Sequence, residues 1–161
     1  MVVSRGNGSL RPARIPIHRN LFAASSPVFA SMFERDMAEK KQNFVFLEDF
    51  SAEAIRGLRS FFYTGRLELG DRTSVYLEMA RRFDVPELRK AVATELLAQL
   101  SLQSVCDTAV LAHEFELSDV FKACRAKIWD EEHNFLVPKE DWRRLEKDNR
   151  KVWANLIDPL F

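Results

Sequence analysis

The sequence predicts an α+β fold that is mostly α, and three observations carry that expectation. Strand-type patterning is confined to roughly the first 50 residues. From Ser51 onward the apolar residues recur at helical spacing, segment after segment. Apolar residues make up 47% of 161 residues, enough for a hydrophobic core and unlike a disordered tail. At about 150 residues per domain, the length allows one domain, or one compact core with a short appendage.

Residues 1–14 hold a Gly6-Asn7-Gly8 turn signal and Pro12; they predict a frayed strand, a turn and a loop. Ile15-Pro16-Ile17 predicts a short strand that Pro16 confines to an edge. Leu21–Ser25 predicts a short helix. Ser25-Ser26-Pro27 then opens another, whose apolar face is Val28, Phe29, Met32 and Phe33. Past a polar stretch, Phe44-Val45-Phe46-Leu47 is the clearest strand, and four apolar residues in a row predict burial on both faces. Asp49 and Ser51 offer caps for a helix carrying Ile55, Leu58, Phe61 and Phe62, which Gly65 ends. Gly57 in its middle costs about 1 kcal/mol against Ala, which predicts a close packing contact there.

The remaining segments all predict helices. Tyr76, Met79, Ala80 and Phe83 form one stripe; after Pro86, Leu88, Val92, Leu96 and Leu100 form the next. Ser101 is expected to cap a helix with Val105, Ala109 and Ala112, and Ser118 one with Leu117, Phe121, Cys124 and Ile128. Val137-Pro138 starts a further turn with Trp142 and Leu145, and Val152, Trp153, Leu156 and Ile157 close the chain. The sequence shows no internal repeat and no low-complexity segment.

Charge and motif content narrow the function. The chain carries 24 Lys+Arg against 24 Asp+Glu, so it lacks the basic surplus that nucleic-acid or anionic-membrane binding needs. The balance is uneven along the chain: Arg5, Arg11, Arg14 and Arg19 make residues 1–20 basic, without an acid among them. No apolar run approaches the roughly 20 residues of a membrane helix, and the N-terminus has no secretory h-region. Cys106 and Cys124 cannot form a disulfide framework or a zinc-type cluster; they predict two buried thiols in a reducing, intracellular setting, cytoplasmic or nuclear. His18, His113 and His133 are too scattered for a metal site, and neither a GxSxG elbow nor a phosphate loop occurs. The expectation is a non-catalytic protein without a cofactor or metal.

Several blocks resemble the BTB/POZ domain in order. His18-Arg19 with Leu21–Phe29 resembles the family's "HK-x-x-L-A-A-x-S-P-x-F" block. Ser31-Met32-Phe33, the Phe44–Asp49 strand and Phe61-Phe62-Tyr63-Thr64-Gly65 resemble its "x-M-F", "V-x-L-x-D" and "F-x-Y-T-G" blocks. Met79-Ala80 with Phe83, Val85 and Leu88 resembles a later one. Within the family the likeness is to the speckle-type POZ group, whose members usually carry a MATH domain ahead of the BTB. Ser101–Ala112, Leu117, Ile128, Trp142 and Val152–Ile157 resemble that group's BACK-like helical extension. This resemblance divides the chain into a basic arm (1–14), a BTB/POZ domain (15–100) and the extension (101–158).

The resemblance implies an adaptor that recruits the cullin-3 scaffold of a ubiquitin ligase, leading to substrate ubiquitination and proteasomal degradation. The family's cullin-contacting apolar-x-Glu motif falls here on Met37-Ala38-Glu39, in the loop after the helix ending near Phe33, and Asp36 precedes it. Met37, Glu39, Phe33 and Asp36 are therefore the expected cullin-binding residues. The other reading of the loop has Met37 folded back onto Phe33 and Glu39 as plain solvated chain. Against the family pattern the domain starts late: the first helix has no counterpart and only Met1-Val2-Val3 can stand for the first strand. That implies weak homodimerisation and an unpaired edge at Ile15 and Ile17. The alternative function is a self-association or regulatory module that pairs with full-length BTB proteins without binding cullin.

Overall fold

The computed structural model describes residues 2–4, 13–35, 45–129 and 137–157. They fall into two compact units, Met1–Val92 and Ala93–Phe161.

The first unit is built on a three-stranded sheet ordered β2-β1-β3. β1 (Val2–Ser4) lies in the middle, antiparallel to β2 (Ala13–Ile15) and parallel to β3 (Val45–Leu47). Val2 faces Ile15 on one side and Val45 on the other. All three are buried, so a single cross-strand row closes one face of the sheet. Two expectations change here. Ile15 is not an unpaired edge: Val2 pairs with it and it is 1% exposed. The strand also ends before Pro16, which has no N–H to continue a ladder. The Phe44–Leu47 run is not buried on both faces, since Val45 and Leu47 point inward while Phe46 is 41% exposed. β3 stands at one end of the strand order, and its side chains alternate at period two, Val45 and Leu47 inward and Phe46 outward; Phe44 lies outside the described residues.

Helices α1 (Arg19–Ser25), α2 (Pro27–Arg35) and α3 (Ala52–Thr64) follow as read from the sequence. Pro27 occupies the first position of α2. Buried Ser26 does two things there: its Oγ accepts from the Phe29 N–H at 3.1 Å and donates to the Phe83 carbonyl at 2.5 Å. One hydroxyl thus caps α2 and ties it to a chain segment 57 residues away. Ser51 caps α3, accepting from the Ala54 N–H at 3.2 Å. Asp49, the other candidate cap, instead pairs with Arg82 at 2.5 Å. Gly65 ends α3 with φ +69 and donates to the Phe61 carbonyl at 2.8 Å. Gly57 has the expected close neighbour: a Cβ there would lie 2.0 Å from the Tyr76 hydroxyl oxygen.

The core of this unit is aromatic. Phe22, Phe29 and Phe83 are each 0% exposed. Phe22 meets Phe29 edge-on at 5.2 Å and Phe62 at 4.8 Å, while Phe29 stacks on Phe83 at 4.5 Å. Each such side chain contributes about 1.5–3 kcal/mol by burial, and offset or T-shaped pairs add to that. Phe83 follows α4 (Thr73–Arg82), which a 3₁₀ turn at Gly70–Arg72 introduces. α5 (Pro86–Ala98) carries Leu88 and Val92, both 0% exposed, and the division between the units falls within it.

The second unit holds α6 (Val105–Glu114), α7 (Ser118–Ile128), α8 (Lys139–Asp148) and α9 (Arg150–Ile157). α6 and α7 pack as a hairpin over Val105, Ala109, Ala112, Val120, Cys124 and Ile128, all at most 1% exposed. Two cap positions move from the sequence reading. Ser101 does not cap α6: Ser104 precedes its first residue, and each serine's backbone N–H donates to the other's Oγ, at 3.1 and 3.3 Å. Ser118 is the first helical residue of α7, and its N-cap is Leu117, which has no capping side chain.

Two helix ends share one cap geometry. α4 ends Ala80-Arg81-Arg82-Phe83-Asp84-Val85-Pro86-Glu87-Leu88, and α6 ends Ala112-His113-Glu114-Phe115-Glu116-Leu117-Ser118-Asp119-Val120. In both, an acidic residue takes a left-handed conformation, Asp84 at φ +50 and Glu116 at φ +54. In both, the next residue's N–H returns to the alanine carbonyl, Val85 to Ala80 at 2.8 Å and Leu117 to Ala112 at 2.7 Å. This 6→1 bond is the Schellman closure, and the apolar residue after the turn is buried each time. Only Ala and Phe are identical across the nine positions, so the likeness resides in the cap rather than in residue identity.

Candidate interaction surface

The α2 end is the described part of the expected cullin-binding region. Phe33, half-buried, stacks toward Phe29 at 6.1 Å. The Arg19 guanidinium lies 5.1 Å from the Phe33 ring centroid and donates to the Phe33 carbonyl. A cation over an aromatic face and a charge-assisted hydrogen bond together hold the last turn of α2 against the start of α1. Asp36, Met37 and Glu39 lie outside the described residues. The structure thus places one of the four expected residues, in the last turn of α2.

A second surface was not singled out from the sequence. Between the end of β2 and the C-terminal half of α3 runs an open groove of about 470 Å³ lined by Ile17, His18, Arg59 and Tyr63, among others. Tyr63 is 45% exposed, and its hydroxyl accepts from the His18 backbone N–H at 3.0 Å. The same oxygen lies 2.8 Å from His18 Nδ1, so the phenol proton satisfies that nitrogen when the ring carries its own proton on Nε2. Arg59 donates to the Pro16 carbonyl at 3.3 Å, fastening α3 to the chain leaving β2. The available signal was spacing: Arg56, Arg59, Ser60 and Tyr63 share one flank of α3, away from its buried stripe of Ala54, Ile55, Leu58 and Phe61.

The groups screened for chemistry are placed as follows. Cys106 and Cys124 are both buried. Burial pushes the Cys106 thiol up to about 11 and the Cys124 thiol up to about 12, the direction opposite to an activated nucleophile. His113 is exposed on α6 with its ring 6.1 Å from Phe121, whereas Cys106 faces the interior. His133 lies outside the described residues. Among the described residues, no group of three or more His, Cys, Asp or Glu side chains is arranged to hold a metal ion. Among them, too, no helix is long and apolar enough to cross a membrane.

Comparison with known proteins agrees with the motif order. The model of the BTB/POZ domain matches residues 9–100. A BTB/POZ domain-containing protein of Arabidopsis thaliana, At4g08455, is 26% identical over 153 residues, covering 94% of this chain and 62% of the relative. BTB and MATH domain-containing protein 42 of Caenorhabditis elegans is 24% identical over 151 residues, 91% of this chain and 37% of the relative. A second Arabidopsis protein, the BTB/POZ domain-containing At1g21780, is 27% identical over 115 residues, 70% of this chain and 35% of the relative. The chain therefore spans less than two thirds of the length of each of these relatives. With the family match covering more than half of the chain and the sheet, helices and aromatic core in place beneath it, the chain belongs to the BTB/POZ family of protein–protein interaction domains.

Proposed function

We propose that the chain is a non-catalytic adaptor that recruits the cullin-3 scaffold of a ubiquitin ligase so that a bound substrate is ubiquitinated. The observation that supports this most directly is the anchoring of Phe33 in the last turn of α2 by Arg19 and Phe29, three positions before Asp36-Met37-Ala38-Glu39. A segment that follows a pinned helix end loses less conformational freedom on binding than one that follows a frayed end. In this reading Met37 supplies adaptable apolar area, Glu39 supplies the charge that sets register, and Phe33 with Asp36 fixes where the loop starts. The α6–α9 helices act as the BACK-like extension and add contact area. The layout is an arm over 1–14, the BTB/POZ domain over 15–100 and the extension over 101–158. The similarity to a BTB and MATH domain-containing protein fits a module whose substrate reader lies elsewhere. Two protonated, buried thiols suit an intracellular setting, nuclear or cytoplasmic.

Calorimetric titration of the purified chain against the N-terminal region of cullin-3 tests the proposal. Saturable binding is expected, weakened at least tenfold by the double change Met37→Ala with Glu39→Ala. No binding, or binding that the double change leaves intact, refutes it.

A further inference from the structure

The charges on the first unit are sorted in a way that core packing does not require. Arg56 pairs with Glu53, Arg72 with Asp71, Arg81 with Glu78 and Arg82 with Asp49. Arg19 is engaged by Phe33. Arg59, inside the groove beside Tyr63, pairs with no carboxylate among the described residues, and the same holds for Arg14 and Arg66, which flank it in sequence. Arg14 is exposed on β2, two residues before the groove begins at Pro16; Arg66 is exposed two residues after it ends at Thr64. No lining residue is acidic. Arg59 thus lines an open channel with Arg14 and Arg66 two positions beyond its ends in sequence, and none of the three has a carboxylate partner among the described residues.

We propose that this groove is a docking site for an extended acidic segment of a partner protein. The walls suit such a segment: Ile17 and exposed Tyr63 offer apolar and aromatic area, and Ser60 offers a hydroxyl on α3, whereas the Thr64 hydroxyl is spent on the Ser60 carbonyl and the Arg66 N–H. Guanidiniums bind carboxylates in bidentate geometry, and Arg59 is already oriented by its bond to the Pro16 carbonyl. The C-terminal end of α3 opposes an anion with a partial charge of about half a unit, which the full positive charge of Arg59 in the groove outweighs. The site makes no use of Asp36, Met37 or Glu39, so it leaves the cullin reading untouched. An adaptor could hold its scaffold at one surface and a second protein at this one.

The test uses the whole chain and a fluorescein-labelled peptide of alternating Glu-Glu-Tyr triplets, followed by anisotropy at low and at physiological salt. Saturable binding is expected, weakening as salt rises through the range where the Debye length falls below about 10 Å. Arg14→Glu with Arg66→Glu, two exposed positions whose exchange leaves the packing alone, is expected to weaken binding at least tenfold. Arg59→Gln is expected to weaken it further. Lys151→Glu, on α9, is expected to leave it unchanged. No binding up to about 1 mM peptide, a level at which even a weak site of about −4 kcal/mol is half filled, overturns the proposal. So does binding that the Arg14/Arg66 double change leaves intact. A single-stranded oligonucleotide that binds as tightly as the peptide also overturns it, since the surface then reads charge alone.

Discussion

Replacing Gly57 by alanine sets two effects against each other, and the structure decides between them. In an ordinary exposed helix the change stabilises by about 1 kcal/mol, because Gly loses more backbone freedom on folding. Here a Cβ on α3 would lie 2.0 Å from the Tyr76 hydroxyl oxygen, 2.8 Å from Cζ and 3.1 Å from Cε1. Ordinary contact begins near 3.4 Å, so the ring must move by more than 1 Å. Tyr76 is 2% exposed, and its neighbours on α4, Leu77, Met79 and Ala80, are buried with it. A rigid ring in that setting moves only by displacing α4 or leaving its rotamer well, and overpacking of this kind costs about 1–3 kcal/mol. With the contact this short the cost falls toward the upper end, for a net destabilisation of about 1–2 kcal/mol. Urea unfolding followed by far-ultraviolet circular dichroism reads it as a lower midpoint at an unchanged slope. The companion change Tyr76→Phe removes the atom at 2.0 Å, so alanine at 57 should cost less in that background than in the wild type. A Gly57→Ala protein as stable as the wild type, or more so, refutes the reasoning.

Two other predictions rest on geometry of the same kind. With both thiols pushed up, to about 11 and about 12, the folded chain keeps its protons where the unfolded chain loses them. Stability from this source is full below the ordinary thiol range near pH 8.5 and is lost as pH rises toward 11–12; Cys124→Ala should flatten that alkaline decline, and neither thiol should react with Ellman's reagent at pH 8 until the chain is unfolded. Asp84→Gly should raise the thermal midpoint by about 2–4 °C, since it relieves both a left-handed non-glycine and an acid at the C-terminal end of α4, whereas Gly65→Ala should lower stability by about 1 kcal/mol; calorimetry on both variants checks the opposite signs.

What could be read from the sequence, and what could not, divides along the range of the forces involved. The helical stripes, the Ser51 cap, the Gly65 terminus and the crowding at Gly57 were legible because each depends on residues within a few positions or on a penalty that demands an explanation. The pairing of Val2 with Ile15 and Val45 was not, because a three-residue strand carries no periodicity and its partners lie 13 and 43 positions away. The outward face of Phe46 was missed for a related reason. A continuous apolar run is ambiguous until it is known which side of the sheet is covered. For the surfaces, motif order pointed to Met37 and Glu39 through family likeness, which no local physics of that loop supplies. The Arg59 groove escaped because absent pairing is a property of three-dimensional neighbours: helical spacing gives Glu53 to Arg56, three positions on, but only the fold shows which carboxylates from other elements stand near Arg59.

The paired helix ends at Phe83-Asp84-Val85 and Phe115-Glu116-Leu117 show how little sequence identity such a turn requires. A helical hairpin needs the chain to reverse within a few residues, to satisfy the last carbonyls, and to drop an apolar residue back into the core. The left-handed residue achieves the reversal, the 6→1 bond to Ala80 or Ala112 meets the second need, and Val85 or Leu117 meets the third. Both positions in the left-handed region are acidic rather than glycine, which costs backbone energy and places a negative charge at the unfavourable end of a helix. The backbone conformation and the helix dipole therefore favour glycine at both positions. Asp84 lines a second groove of about 570 Å³ with Phe62 and Glu87, so one of the two acids already has a place on a surface rather than in a core. In a family of protein–protein interaction domains, Asp84, disfavoured by the turn and lining an open groove, is better accounted for by what it presents outward than by the helix it ends.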